Sequence, residues 1–175
     1  MSTRPTRRFR TEGAGEPERG LSPIRVEELD EVEPHFLQAL IDIEQEAFGK
    51  GGMNEWFLPA FIRRGKVYSL WVEGHEWPVG VAECMASWGR PRCAYLFGIA
   101  IRKEWRGKGL GTDFLKEICL RLREMGFTTL DLTVSPTNIS ALRVYQNKLG
   151  FRTIAFHRAE YGQGEDRLVM RLDLA

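Results

Sequence analysis

Residues 106 to 111, with the sequence Arg-Gly-Lys-Gly-Leu-Gly, place three glycines beside two cations. They lie between an apolar run that ends near Arg102 and an amphipathic run that begins near Gly111, which predicts a strand, a loop and a helix start. Glycines allow backbone N–H groups to approach a ligand closely, and the N–H groups that open a helix favour negative charge. The segment therefore predicts an anion site, although a tight strand-to-helix turn without a ligand would use the same residues.

Two familiar nucleotide-binding loops do not fit this segment. A Walker loop requires Ser or Thr after its Gly-Lys pair, and here Gly109 follows Lys108. A dinucleotide-binding fingerprint requires glycine at the position that Thr112 occupies. Neither of these two nucleotide-binding patterns is present.

Taken with its neighbours, the loop resembles the acetyl-CoA motif of the Gcn5-related N-acetyltransferase (GNAT) superfamily. The resemblance covers roughly residues 23 to 174 and is carried by three segments, Ile99-Ala100-Ile101 followed by four spacer residues and Arg106-x-x-Gly109-x-Gly111, then Asn138-x-x-Ala141-x-x-x-Tyr145, and Leu149-Gly150-Phe151. It implies an enzyme that uses acetyl-CoA as co-substrate and moves the acetyl group directly to a primary amine. The resemblance also implies that the cofactor is bound by Ile99, Ala100, Ile101, Arg106, Gly107, Lys108, Gly109, Leu110, Gly111, Asn138 and Ala141.

Two residues are candidates for the proton transfers that this chemistry needs. Tyr145 shares a helix face with Ala141 and, by the resemblance, would protonate the departing thiolate. Taken alone, an aromatic residue on an apolar helix stripe is more typical of core packing. Alternation along the strand puts Glu83 on the same face as Val81 and Met85. It is either a buried carboxyl with a raised pKa that accepts the amine's proton, or a solvent-facing residue on a half-exposed strand.

Periodicity and turn residues predict the elements that position these groups. The order is β-α-α-β-β-β-α-β-α-β-β, which indicates an α+β fold. The resemblance implies a GNAT-type mixed, mostly antiparallel central sheet with helices on both faces, and two central strands that diverge around the cofactor. The spacing of residues by itself does not reveal that divergence.

Composition limits the number of domains, the kinds of partner and the cellular location that we expect. A chain of 175 residues with 43% hydrophobic content suits one domain, here residues 21–175, after a basic tail at residues 1–20 that we expect to be disordered. The net charge of +1 gives no reason to expect a nucleic acid or a membrane as partner. Cys84, Cys93 and Cys119 lie in apolar runs, as reduced core thiols do, and neither a signal peptide nor a spanning segment is visible. We expect a cytoplasmic protein without a metal.

The sequence does not identify the amine that accepts the acetyl group. It could be a small-molecule amine or a peptide, or a protein N-terminus, since Tyr161, Glu165-Asp166 and Met170 resemble bacterial ribosomal-protein alanine N-acetyltransferases. The segment from Gly49 to Asn54 departs from that subfamily. A non-catalytic acyl-CoA-binding module is a third alternative, against which the presence of Tyr145 argues. A monomer and a homodimer are both compatible with the sequence.

Overall fold

The computed structural model describes residues 23–174, so the predicted tail at residues 1–20 lies outside the described part. One seven-stranded sheet with the order β1-β2-β3-β4-β5-β7-β6 forms the centre of the molecule. Its strands are β1 (Ile24–Leu29), β2 (Lys66–Val72), β3 (Gly80–Ala86), β4 (Cys93–Ile101), β5 (Thr129–Val134), β6 (Arg152–His157) and β7 (Arg167–Asp173).

Four α-helices accompany the sheet: α1 (Pro34–Phe48), α2 (Leu58–Arg64), α3 (Leu110–Glu124) and α4 (Ile139–Leu142). Short 3₁₀ turns at Gly49–Gly51 and Lys103–Trp105 precede α2 and α3, and a π-helical turn at Arg143–Lys148 continues α4. The order of elements confirms the predicted one, and the mixed, mostly antiparallel sheet confirms the predicted fold class.

Two apolar clusters fill the two faces of the sheet. On one face, α1 and α2 bury Leu40, Ile43 and Leu58 against Val81 and Ala100. On the other face, α3 packs through an apolar stripe, and α4 adds Ala141 and Leu142 at the edge of the cluster; the stripe comprises Leu110, Phe114, Leu115, Ile118 and Leu122. Residues of β3 and β4 alternate between the clusters because successive side chains of a strand point to opposite faces.

The centre of the sheet opens where β4 and β5 part. These two strands are the parallel pair of the sheet, and their pairing ends at Leu96↔Leu132. Beyond that point β4 continues to Ile101 and β5 continues to Val134, but the two strands no longer pair with each other. Along residues 97–101, the N–H and C=O groups that β4 directs toward β5 therefore have no partner on β5.

A β-bulge lies at the start of this opening. The register of β3 with β4 passes from Cys84↔Leu96 to Glu83↔Gly98, which leaves Phe97 as the extra residue. Phe97 stacks on Phe61 of α2 with 5.2 Å between ring centroids. The bulge thus places Phe97 and Gly98 together on the face that α1 and α2 cover.

Two elements differ from the predicted ones. The spacing of apolar residues predicts a second helix that begins at Asn54. The helix begins at Leu58 instead, because the Asn54 side chain accepts the N–H groups of Trp56 and Phe57 and forms a turn. The sequence also predicts a strand from Arg152 to Tyr161, but β6 ends at His157. Ala159 has a φ of 51°, which a strand does not adopt.

The three cysteines are free thiols, as expected. No helix among residues 23–174 is long and apolar enough to cross a bilayer.

Candidate active site

The glycine-rich loop leaves an uncapped helix start facing outward. Gly107 and Gly109 have φ values of 75° and 86°, in the left-handed region that suits glycine. Gly109 is the N-cap of α3 and provides no side chain to satisfy the first turn. The N–H groups of Leu110 and Gly111 find no acceptor among residues 23–174. The N-terminus of α3 is therefore able to bind an anion.

The two cations of the loop are held at its flanks. The Arg106 Nε donates to the Ile101 carbonyl oxygen at 2.7 Å, and its Nη2 lies 3.7 Å from the Glu46 Oε1 of α1. The Lys108 Nζ lies 4.5 Å from the centroid of the Trp105 ring. Both charges stay beside the loop, and Glu46 offsets part of the Arg106 charge.

The open edge of β4 leads into this loop. Ile99 and Ile101 direct their side chains to the α3 face, whereas Ala100 is buried on the α1 face. Because this stretch has no partner on β5, its backbone can pair with an extended ligand that carries amide groups, as an added strand would.

Asn138 and Ala141 lie in the segment after β5. The turn sequence Pro136-Thr137-Asn138 predicts a helix start that Asn138 caps. The Asn138 Oδ1 accepts the Ala141 N–H at 3.1 Å, which confirms this cap of α4. Residues 135–137 separate Asn138 from the end of β5, and Ala141 follows within α4. The structure therefore brings both residues to the divergent strands.

Tyr145 lies in the π-helical turn that follows α4. Its ring packs on Phe151 at a centroid distance of 5.6 Å and borders the larger apolar cluster together with Ile99 and Ile101. Its hydroxyl forms no hydrogen bond with the rest of the described chain, and desolvation by burial raises its pKa to about 12. The hydroxyl is thus a proton donor throughout the physiological range.

Glu83 is fully buried, which decides between the two environments that its sequence position left open. Neither of its carboxylate oxygens finds a hydrogen-bond donor within residues 23–174. Its Oε2 lies 2.8 Å from the point where a Cβ on Gly98 would stand, so only glycine fits at that position of β4 without a shift. Burial, followed by the charge of Glu44, raises its pKa well above the usual range.

Glu44 on α1 is a functional candidate that the sequence reasoning missed. Its side chain is 2% exposed, its Oε2 accepts the Met53 N–H at 2.9 Å, and its Oε1 has no donor in the described chain. Desolvation raises its pKa to about 6. The signal was available, because Glu44 lies among Leu40, Ile41 and Ile43 on the buried stripe of the helix.

The candidate proton-transfer groups approach the opening from opposite faces of the sheet. Glu44 and Glu83 lie on the face of α1 and α2, and Tyr145 lies on the face of α3 and α4. Between them runs the unpaired part of β4. This layout suits a reaction in which one proton leaves on one side of a sheet and another is delivered on the other side.

Comparisons with known proteins agree with this geometry. The acetyltransferase (GNAT) family profile matches residues 31–151. The ribosomal protein bS18-alanine N-acetyltransferase of Salmonella typhimurium is 34% identical over 85 residues, which cover 47% of this chain and 57% of that enzyme. This sequence match therefore spans about half of either protein.

Solved structures extend the likeness to nearly the whole described chain. The ribosomal-protein-S18-alanine N-acetyltransferase of Escherichia coli has a TM-score of 0.72 and 25% identity, over 87% of this chain and 95% of that one. A Bacillus subtilis acetyltransferase in complex with CoA has a TM-score of 0.71 and 21% identity, over 87% of this chain and 100% of that one. With a family profile that covers most of its length and a fold that agrees throughout, this chain belongs to the acetyltransferase (GNAT) family.

Proposed function

We propose that this protein is an N-acetyltransferase that moves an acetyl group from acetyl-CoA to a primary amine. The observation that carries the proposal is the parting of β4 from β5 after Leu96↔Leu132, which leads directly to the uncapped start of α3. An open strand edge that ends at an anion site matches a ligand with an amide-containing arm and a pyrophosphate.

Residues on both sides of the opening would hold this ligand. The backbone groups of Ile99 and Ile101 that face away from β3 would bind the amides of its arm, with Ala100 between them, and Asn138 and Ala141 would border the arm from the other side. The free N–H groups at the start of α3 would bind the pyrophosphate. When bound, acetyl-CoA supplies an acetyl group on a thioester, which an amine nitrogen can attack without a covalent enzyme intermediate.

The chain's own residues would manage the protons. An amine reaches the site as an ammonium and must lose a proton before it attacks. Glu83 would accept that proton, directly or through water, because burial makes its carboxylate a stronger base than an exposed one. Tyr145 would donate its hydroxyl proton to the departing thiolate sulfur.

The acceptor can be a small amine or the N-terminus of a peptide or protein. The names of the Salmonella and Escherichia coli relatives, both alanine N-acetyltransferases of a ribosomal protein, favour the N-terminus of a protein. A small-molecule amine remains the competing acceptor class.

Two measurements on the full chain test the proposal. Calorimetry should detect binding of CoA, and incubation with acetyl-CoA and a panel of amines should release free thiol only when an acceptor amine is present. The panel should contain peptides with free N-termini, polyamines, amino acids and aminoglycosides. Absence of CoA binding would overturn the proposal, and binding without thiol release on any amine would favour a non-catalytic acyl-CoA-binding module.

A further inference from the structure

Glu44 and Glu83 form a buried pair whose carboxylate oxygens mostly lack hydrogen-bond partners. Three of its four carboxylate oxygens have no hydrogen-bond donor, and no Lys, Arg or His in residues 23–174 forms an ion pair with either residue. Buried carboxylates are normally paired, because an unpaired buried charge is costly. The pair therefore lacks a positively charged, hydrogen-bond-donating partner.

The two carboxylates converge on one point of β4. The position of a Cβ on Gly98 would lie 2.8 Å from the Glu83 Oε2 and 3.9 Å from the Glu44 Oε1. The unpaired carboxylate oxygens are buried, and Gly98, which is partly exposed, covers them without a side chain. It also belongs to the stretch of β4 that has separated from β5.

Aromatic side chains surround the same point. The Phe48 Cε2 also lies 3.9 Å from the position of that Cβ, and Phe97, next to Gly98, stacks on Phe61. Phe48 and Phe97 are each 46% exposed, so both present apolar surface beside Gly98. An apolar rim around an acidic floor is complementary to a cation with an apolar body.

We infer that Glu44 and Glu83 together bind the acceptor's ammonium group, and that the preferred acceptor is an amine with an apolar body and no carboxylate on the carbon next to the nitrogen. This inference rests on the proposed function. A free amino acid would bring its own carboxylate next to this buried acidic pair, where the charge of the pair and the poor solvation strongly disfavour a further negative charge. Simple amines, amino alcohols, amino amides and peptide N-termini avoid that repulsion.

Matched acceptors test the inference. With the full chain, acetyl-CoA and a free-thiol readout, kcat/KM is measured for L-phenylalaninol, L-phenylalaninamide, a peptide amide that begins with Phe, L-phenylalanine and glycinamide, at several pH values so that amine basicity is separated from charge. The neutral Phe derivatives should exceed L-phenylalanine by at least tenfold, and L-phenylalaninamide should exceed glycinamide. The peptide and the small amines distinguish the two sources of such an amine.

Variants provide a readout that loss of folding cannot imitate. In Glu44→Gln, which keeps an acceptor for the Met53 N–H and removes one charge, the ratio of kcat/KM for L-phenylalaninol to that for L-phenylalanine should fall at least threefold. Asp42→Asn, an exposed change on the same helix, should leave the ratio unchanged.

Each outcome assigns the failure to one claim. Equal or better turnover of L-phenylalanine, or an unchanged ratio in Glu44→Gln, would overturn the inference and leave the acetyltransferase assignment standing. Turnover of none of these acceptors by protein that binds CoA would also overturn the substrate class. Absence of CoA binding would instead overturn the proposed function.

Discussion

An oxygen of the Glu83 carboxylate lies 2.8 Å from the place where a Cβ on Gly98 would stand. The observed position of this carboxylate on β3 therefore requires glycine at position 98 of the neighbouring strand β4. Gly98→Ala should displace the carboxylate and lower kcat/KM at least tenfold. The melting temperature should fall by less than about 4 °C, because the clashing atom is at the end of a side chain. Thiol release and thermal unfolding measure the two effects.

Gly89→Ala is the control for that variant, since an added Cβ there meets nothing within 4 Å. It should leave turnover unchanged. Wild-type activity in Gly98→Ala would show that the position of the Glu83 carboxylate does not matter for the reaction.

Gly109→Val should weaken CoA binding at least tenfold, because a β-branched residue resists the left-handed backbone that presents the first N–H groups of α3. Gly126→Val is a matched control at the other end of the same helix, with a φ of 89° and open space around it. Both variants should lose comparable stability, and calorimetry should find weaker CoA binding in Gly109→Val alone. Equal dissociation constants would remove the loop from the cofactor site.

Tyr145→Phe should lower kcat by roughly 10²-fold with CoA affinity and folding near wild type, because it removes the proton donor and keeps the ring. Since burial raises the Tyr145 pKa to about 12, wild-type kcat should show no decline between pH 9 and 10 from ionisation of this group. Tyr68→Phe is the control, as it deletes another hydroxyl without a partner in the described chain, away from the opening. Full turnover by Tyr145→Phe would assign the ring to packing.

Glu44→Gln should stabilise the protein at neutral pH and not at acid pH. The pKa of Glu44 rises from 4.5 to about 6 on folding, so the folded state binds more protons and stability falls as pH increases through this window. The variant should gain about 2 kcal/mol over wild type at pH 7.5 and almost nothing at about pH 3. Urea unfolding at the two pH values measures this, and a gain that is equal at both would contradict it.

Asp42→Asn serves as control for the unfolding experiment, because it removes a carboxylate from the exposed side of α1. It should change the free energy of unfolding by less than about 0.5 kcal/mol at either pH. A pH-dependent gain in this variant would attribute the effect to overall charge.

Much of the fold was predictable because local chemistry determines it. Pro34 predicts the start of α1 and Gly126 the stop of α3, for which periodicity predicts residues 111–125, within one residue of the observed helix. The sequence likewise predicts strands at residues 130–135 and 166–174, within one residue of β5 and β7 at each end. The turn at Asn54 and the π-helical turn around Tyr145 depend on particular side-chain and tertiary contacts, so periodicity did not reveal them.

The site was predictable where it depends on glycines and less so where it depends on pairing between distant segments. The loop at residues 106–111 followed from composition, and the Asn138 cap was confirmed. Glu44 and Glu83 are 39 positions apart in the chain and meet only because α1 crosses the bulged part of β3 and β4. The roles of these residues remain predictions for the experiments above.

The two apolar clusters on either side of the sheet have no residue in common. In evolutionary terms, such a division makes the layer of α1 and α2 free to diverge while the layer of α3 and α4 is retained. Exchange of residues 34–64 between members of the family would then transfer a preference for one amine over another and leave the CoA dissociation constant where it was.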